Sequence, residues 1–307
     1  MNNERLREMF SRMGYVRQSR DVRAKRYESE RCAGFERILI EYDVAPEERV
    51  RSFLLLPEGS GKVPLCVAIH PHEFDYSSGK SEVAGLGTLG RPENAYGAAL
   101  ARAGFAVLCP DLLTFEARRE LPYNLPENAH VDEDEKVRAS YLYYDGSSLQ
   151  AKALGDLSAG IDAALTFDRV DSDRIFAMGH EVGGQEALWL ALADERVKGY
   201  ISSCGASLVR ERAKIYQNID CLAVYPGLNR LGDYDVIVGL RPDKFAYLTF
   251  PEESGRFPGE SAAQIEKAAV RAYGENGLLA VEWTADDAFI REDTLARMTA
   301  FVREKLS

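Results

Sequence analysis

The chain has 307 residues, of which 46% are hydrophobic, and it carries a formal net charge of -11 at pH 7. Such an acidic balance disfavours nucleic acid and anionic membranes as partners, and no apolar run reaches the roughly 18 residues that a membrane-spanning helix needs. The N-terminal stretch from Met1 to Glu8 is charged where a secretory signal would be apolar. Five cysteines without C-x-x-C spacing are typical of reduced thiols, so we expect a cytoplasmic protein.

The first predicted element is a helix in an N-terminal extension. Apolar side chains at Leu6, Met9, Phe10 and Met13 recur at the spacing of one helical face within otherwise polar sequence. We therefore predict a helical extension over residues 1–33 and a main domain over residues 34–307. The extension would pack on the core or on another subunit, which leaves a homo-oligomer open.

From residue 35 onward, strand patterns and helix patterns alternate. The predicted strands are Phe35–Tyr42, Val50–Leu56, Val63–His70, Phe105–Pro110, Arg174–Met178, Val197–Ser203, Phe245–Phe250 and Leu279–Trp283. This alternation predicts an α/β fold with a mostly parallel central sheet that helices cover on both faces. Residues 112–148 interrupt this alternation of strands and helices and are rich in charged and aromatic side chains. We predict that they form an excursion over the rim of the site.

Residues 179–184 read Gly-His-Glu-Val-Gly-Gly and form the most informative motif of the chain. Their spacing matches a nucleophile elbow, G-x-nucleophile-x-G, in which a strand turns sharply into a helix. An apolar strand pattern enters the motif at residues 174–178, and a helical pattern leaves it at residues 185–192. Glu181 stands where an acyl-transfer enzyme carries its nucleophile, so the motif predicts a carboxylate at the centre of a site.

The chain resembles the α/β-hydrolase fold, and most of all its dienelactone-hydrolase and acetyl-xylan-esterase-like branch. The resemblance spans about residues 35–306. It rests on the elbow and on these strings, in chain order: Ala68-Ile69-His70-Pro71-His72, Cys109-Pro110-Asp111, Ser202-Ser203-Cys204-Gly205, Arg241-Pro242 and Phe257-Pro258. It implies a hydrolase ancestry and a Ser…Asp…His triad in that chain order.

Other residues occupy all three triad positions that the resemblance implies. Glu181 takes the nucleophile slot, Ser254 takes the acid slot and Asp287 takes the slot of the histidine. The chain has four histidines, and none of them follows His180. Standard serine-esterase chemistry is therefore excluded, because neither its nucleophile nor its general base stands in place.

The resemblance also implies an oxyanion hole at the backbone amides of Val182 and His72, since Pro71 has no N–H. Glu181 would project at the N-terminal end of a helix, where negative charge is favoured. Three roles stay open for its carboxylate. It is an inert plug of that hole, a nucleophile whose ester is cleaved with help from Asp287 or His72, or a general acid or base paired with Asp287.

Two hypotheses from different classes follow. The first is an α/β-hydrolase-fold enzyme, without metal or cofactor, that acts on a small organic substrate as a non-standard hydrolase or as a derived lyase, isomerase or cyclase. The second is a non-catalytic pseudo-hydrolase that binds a ligand or serves as a scaffold.

Arg118 is a candidate contact for an anionic substrate, with a salt bridge as its alternative role. Tyr144 is a candidate pocket residue, with a core position as its alternative.

Overall fold

The computed structural model describes residues 2–17, 22–72, 76–87, 92–119, 133–215, 221–254 and 257–307. Nine strands of these residues form one sheet in the order β1-β2-β3-β5-β4-β6-β7-β8-β9. They are β1 (Lys25–Cys32), β2 (Phe35–Ala45), β3 (Glu48–Pro57), β4 (Val63–Ile69), β5 (Ala106–Pro110), β6 (Val170–His180), β7 (Val197–Ser203), β8 (Phe245–Pro251) and β9 (Leu279–Thr284). Neighbouring strands are parallel from β5 to β9, whereas β1, β2, β3 and β5 pair in antiparallel fashion.

Helices connect the strands of this sheet. They are α1 (Asn2–Met13), α2 (Lys80–Val83), α3 (Tyr96–Arg102), α4 (Glu133–Tyr144), α5 (Leu149–Ala164), α6 (Val182–Ala193), α7 (Val209–Ile215), α8 (Leu228–Leu231), α9 (Tyr234–Ile237), α10 (Gly259–Tyr273) and α11 (Glu292–Lys305). Within the described parts of the chain, no helix is long and apolar enough to cross a membrane.

The central strands are buried on both sides. Along β4, Leu65, Val67 and Ile69 pack into one hydrophobic cluster, whereas Cys66 and Ala68 pack into a second cluster on the opposite face. Strand residues point alternately to the two faces of a sheet, so two cores confirm the prediction that helices cover both faces. The strand that enters the elbow, β6, lies between β4 and β7 and is parallel to both, as its sequence pattern predicts.

The N-terminal extension is helical only in its first half. Leu6, Met9 and Met13 of α1 are buried in the main core, so the predicted apolar face is confirmed and packs on this chain. Residues 25–32 instead form β1, and the prediction of a wholly helical extension was wrong there. This edge strand is exposed along almost its whole length. Because neither of its faces is buried, it lacks the alternation that identifies a strand in sequence.

The predicted excursion at residues 112–148 contains a short 3-10 turn at Glu116–Arg118 and the helix α4. Residues 120–132, including His130, lie outside the described residues. Helix α4 is held by the Tyr143 hydroxyl, which donates to the Val224 carbonyl at 2.9 Å. It is also held by the buried Glu135, whose contacts belong to the site described below.

Helix α6 approaches β4 and β7 more closely than most side chains would permit. A Cβ added at Gly183 would overlap the main-chain oxygen of Ile69. A Cβ added at Gly205, just after β7, would overlap the main chain of Gly184 and Gln185. Since backbone atoms are the obstacles, neither position has a flexible side chain that could yield.

We expect Gly183→Ala to lower the free energy of unfolding by about 3 kcal/mol or more, because its methyl group would be forced into the β4 backbone. Gly155→Ala is the matched control. Gly155 lies inside α5 with no atom within 4 Å of an added Cβ, so alanine there should leave stability unchanged or raise it by up to about 1 kcal/mol. Urea unfolding of both variants measures the difference. Equal stabilities would contradict the close packing of α6.

Candidate active site

Glu181 is the single residue between β6 and α6 and sits on a strained turn. Its φ of 50° and ψ of -119° are unusual for a residue with a side chain. The turn is fixed on both sides, because the Glu181 N–H donates to the Ser203 carbonyl at 2.8 Å and the Glu181 carbonyl accepts from the Gln185 N–H at 3.0 Å. The side chain is 5% exposed. The strand, sharp turn and helix predicted for the elbow are therefore present.

Val182 begins α6 and is buried. Its amide belongs to the first turn of the helix, where N–H groups have no partner within the helix and favour a negative charge nearby. The prediction that this amide and that of His72 form an oxyanion hole is consistent with the positions of both residues at the carboxyl ends of the adjacent strands β6 and β4.

Asp287 and Ser254 meet at the edge of the sheet. The Ser254 hydroxyl donates to the Asp287 Oδ2 at 2.7 Å, and the Phe257 N–H donates to the Ser254 Oγ at 2.9 Å. These residues occupy the slots of the triad histidine and the triad acid in the resemblance. The two side chains are thus in contact, and a carboxylate accepts from a hydroxyl.

His180 ties the Asp287 loop to the elbow strand. Its Nε2 lies 3.0 Å from the Asp287 carbonyl oxygen, and its Nδ1 lies 3.0 Å from the Ser203 Oγ. A carbonyl only accepts, so Nε2 carries a proton. The Thr249 hydroxyl donates to the Ser203 Oγ at 3.2 Å, which leaves the Ser203 hydroxyl to donate to Nδ1. These hydrogen bonds hold the main chain of Asp287 beside His180, the residue that precedes Glu181.

Cys204, the residue after β7, lies close to both carboxylates. Burial raises the pKa of its thiol to about 12, hydrogen bonds to Thr249 and Thr284 oppose that rise, and the charges of Asp287 and Glu181 add to it. The thiol is therefore protonated at neutral pH. Cys204 also has a positive φ of 48°, so two strained turns adjoin the same group of side chains.

His72 forms a buried cluster with Tyr76 and Glu135. Its Nε2 lies 3.0 Å from the Tyr76 Oη and 3.3 Å from the Glu135 Oε2. Tyr76 donates its hydroxyl proton to the same carboxylate oxygen, and the Cys221 N–H donates to the Glu135 Oε1 at 2.6 Å. Burial alone would raise the pKa of Glu135, but these hydrogen bonds and the His72 ring outweigh it and hold the pKa below its ordinary value.

The sequence reasoning missed Glu135 and Tyr76. Glu135 lies in an acidic run that reads as a solvated face, and its contact with His72 joins positions 63 residues apart. Its neighbours Asp134 and Lys136 are charged as well, so no local signal in the sequence separates Glu135 from the rest of this segment.

His70 is structural. Its Nδ1 lies 2.8 Å from the Pro71 carbonyl oxygen and its Nε2 accepts from the Leu112 N–H at 3.1 Å. Burial lowers its pKa to about 4, so the ring is neutral at pH 7. Among the described residues, no group of three or more His, Cys, Asp or Glu side chains is placed to hold a metal ion.

The two predicted substrate contacts take other places in the structure. Arg118 is buried and pairs with the carboxylates of Glu48 and Asp156, so it has the salt-bridge role that was its alternative. Tyr144 is 88% exposed at the end of α4 and packs in no core cluster. The two acids neutralise the charge with which Arg118 would attract an anionic substrate.

A second buried carboxyl lies on α6, beyond the elbow. Glu186 accepts from the Gln150 side-chain amide at 2.6 Å and from that of Gln185 at 3.3 Å. Burial raises its pKa to about 8 despite these hydrogen bonds. Glu186 is therefore largely protonated at pH 7, unlike Glu135.

Comparisons with known proteins find similar sequences. Residues 83–230 match the sequence model of the dienelactone hydrolase family. The Bacillus subtilis (strain 168) protein YtaP, whose name assigns it provisionally to the hydrolases, is 25% identical over 289 residues, which are 90% of this chain and 89% of that protein. The family match includes the elbow but neither Ser254 nor Asp287.

Solved structures share the architecture at low sequence identity. A Bacteroides fragilis protein described provisionally as an acetyl xylan esterase has a TM-score of 0.74 and 15% identity, over 92% of this chain and 74% of that chain. A glucuronoyl esterase from Solibacter usitatus has a TM-score of 0.71 and 13% identity, over 100% and 92%. An acetyl xylan esterase from Paenibacillus sp. R4 has a TM-score of 0.61 and 14% identity, over 99% and 92%. These likenesses show a common fold.

We expect Glu186→Gln to change the pH dependence of stability. The folded state raises the pKa of Glu186 from 4.5 to about 8, so its contribution to stability is fully present below about pH 4.5 and is lost as the pH rises through about 8. Glutamine keeps the shape without the charge. The free energy of unfolding of the variant relative to wild type should therefore increase between these pH values, by up to about 5 kcal/mol.

Urea unfolding of both proteins at a series of pH values measures this difference. A difference that stays constant with pH would show that Glu186 titrates normally in the folded protein.

Proposed function

We propose that this chain, which has the α/β-hydrolase fold and resembles the dienelactone hydrolases, is an enzyme that uses the Glu181 carboxylate to act on a small organic substrate. The observation that carries the proposal is the buried, strained main chain of Glu181 at the elbow. A non-glycine residue at such a turn costs on the order of 1–3 kcal/mol. Strain of this kind clusters at reacting groups, because it aims a side chain that a relaxed turn would not present.

The surroundings of Glu181 suit a reacting carboxylate. It precedes the first turn of α6, where main-chain N–H groups stabilise negative charge. The resemblance implies that the amides of Val182 and His72 form the oxyanion hole. The same amides would stabilise an oxygen that gains charge during attack on a carbonyl or departure of an alkoxide.

Asp287 is the second carboxylate of the proposed site. Ser254 orients its side chain and His180 fixes its main chain. The charges of both Asp287 and Glu181 act on the Cys204 thiol, which supports the proposal that the two carboxylates lie near each other. Two carboxylates at one site are able to divide the roles of acid and base between them.

The reaction that this arrangement favours is hydrolysis through a covalent intermediate. A Glu181 oxygen attacks the electrophilic carbon of the substrate, and the leaving group departs with the bonding electron pair. Water then cleaves the ester at Glu181, and its proton passes to a base at the site, which restores the carboxylate. A lyase or isomerase would use the same two carboxylates as acid and base without the covalent step.

We expect the wild-type protein not to cleave activated aryl esters at about 10 per second, roughly the median rate of enzymes. The reason is that the elbow presents a carboxylate in place of a hydroxyl paired with histidine. Release of nitrophenol from short-chain esters measures the rate. Fast release that a serine-directed phosphonate blocks would mean that the nucleophile lies elsewhere in the chain.

We expect Glu181→Gln to abolish turnover of the true substrate, since an amide keeps the shape but neither attacks nor exchanges a proton at neutral pH. Asp287→Asn should reduce turnover, by at least about 100-fold if Asp287 transfers a proton. A screen of esters, lactones and small metabolites against wild type and variants, with mass spectrometry of product and of protein, provides the measurement.

The matched control is Glu186→Gln, which changes a buried glutamate on the same helix. Its protonated wild-type side chain resembles glutamine at pH 7, so turnover should be retained. Undiminished turnover by Glu181→Gln would show that Glu181 is structural. A mass increase on the wild-type peptide that contains Glu181, absent from the glutamine variant, would identify the covalent route.

A further inference from the structure

We infer that Glu135 is a positioning residue that fixes the His72 imidazole as the base of this site. The inference rests on the proposed function for the base role, but the effect of Glu135 on His72 stands on the geometry of the two side chains. His72 follows β4 and Glu135 lies on α4, and both side chains are buried.

Three donors surround the Glu135 carboxylate. The Cys221 N–H donates to Oε1, and the Tyr76 hydroxyl and the His72 ring meet Oε2. Hydrogen bonds to a carboxylate favour its ionised form. An ionised carboxylate only accepts, so the His72 nitrogen that faces it, Nε2, must carry a proton. Proton exchange at His72 therefore takes place at Nδ1.

The ring plane is fixed as well as the tautomer. Tyr76 meets the His72 ring edge-on with centroids 4.8 Å apart, and Phe115 does so at 5.1 Å. Tyr76 and Phe115 stack on each other at 4.8 Å. The imidazole thus packs against a stacked pair of rings, which limits rotation about its side-chain bonds.

The two other described histidines are held differently. His70 meets main-chain groups at both ring nitrogens, and His180 meets a carbonyl and a hydroxyl. Neither has a carboxylate at hydrogen-bond distance in these contacts. A carboxylate at one imidazole nitrogen orients the ring and stabilises the imidazolium that forms when the other nitrogen takes a proton. His72 has this arrangement.

The step assigned to His72 is the hydrolysis of the ester at Glu181. Water attacks the substrate carbon, one water proton moves to Nδ1, and the bond between that carbon and the Glu181 oxygen breaks. The bonding electron pair returns to the Glu181 carboxylate, and the product leaves as an alcohol or acid. The Nδ1 proton then passes to the leaving group or to solvent, so that water is consumed and the ring is neutral again.

The first test needs no substrate. The protein has four histidines, so nitrogen NMR of labelled imidazoles resolves them, and His72→Asn identifies the His72 signals. We expect Nε2 of wild-type His72 to stay protonated and Nδ1 to titrate. In Glu135→Gln the titration midpoint of Nδ1 should fall by at least about one pH unit, since an opposite charge at this distance shifts such a midpoint by about 1–3 units.

Two further variants are controls for a general loss of structure. Tyr76→Phe removes one donor but keeps the Glu135 charge, so its Nδ1 midpoint should stay at or above that of wild type. Glu186→Gln changes a buried glutamate away from His72 and should leave the midpoint unchanged. An unchanged midpoint in Glu135→Gln, or an equal fall in Tyr76→Phe, would overturn the inference.

The second test uses the substrate found in the screen. Glu135→Gln should lower kcat at pH 7 about 10- to 100-fold with little change in KM, and the acid limb of the kcat profile should move to lower pH together with the Nδ1 midpoint. A purely structural residue would not move that limb. If Glu181→Gln retains full turnover while Glu135→Gln still shifts Nδ1, the proposed function fails and the positioning of His72 survives.

Discussion

The left-handed main-chain turn at Glu181 is the constraint on which the site depends. It exists because Gly183 lets α6 approach β4 and because Ser203 and Gln185 hold the turn from either side. The close approach extends to the next strand, where Gly205 lies against the Glu181 carbonyl oxygen and Cys204 adopts its own positive φ. The surrounding main chain packs too closely for this turn to change its conformation. The packing of the sheet against α6 therefore sets the direction of the Glu181 side chain.

Three buried carboxyl groups of this fold are stabilised in different ways. Asp111 sits beside the Lys80 ammonium group, which also pairs with Glu116 and thereby ties the segment after β4 to the segment after β5. Glu135 accepts from a main-chain N–H, a tyrosine hydroxyl and a histidine ring, whereas Glu186 accepts from two side-chain amides and is largely protonated at pH 7. Burial of an unpaired charge is unfavourable, so these arrangements allow an acidic chain to place several carboxyl groups beneath its surface in defined protonation states.

The sequence predicted the parts of the fold whose pattern is local. Strands such as β4 and β5 are continuous apolar runs because both of their faces are buried. The elbow is recognisable because its glycines allow close main-chain contacts around the turn. The slots of Ser254 and Asp287 followed from the resemblance, and the two side chains do meet. The edge strand β1 left no such pattern, since solvent covers both of its faces. Glu135 could not be predicted, because its role arises only when α4 folds against a histidine 63 residues away.

The hydroxyl of Ser254 gives the neighbouring aspartate a reversible partner. A hydroxyl is a rotor that both donates and accepts. While Asp287 is ionised, the Ser254 proton points toward Oδ2, and the Phe257 N–H occupies one lone pair of the Ser254 oxygen. Rotation about the C–O bond redirects that proton without moving the oxygen. A change in the charge of Asp287 would therefore be met by the turning of one O–H bond, while the oxygen stays where the Phe257 N–H holds it.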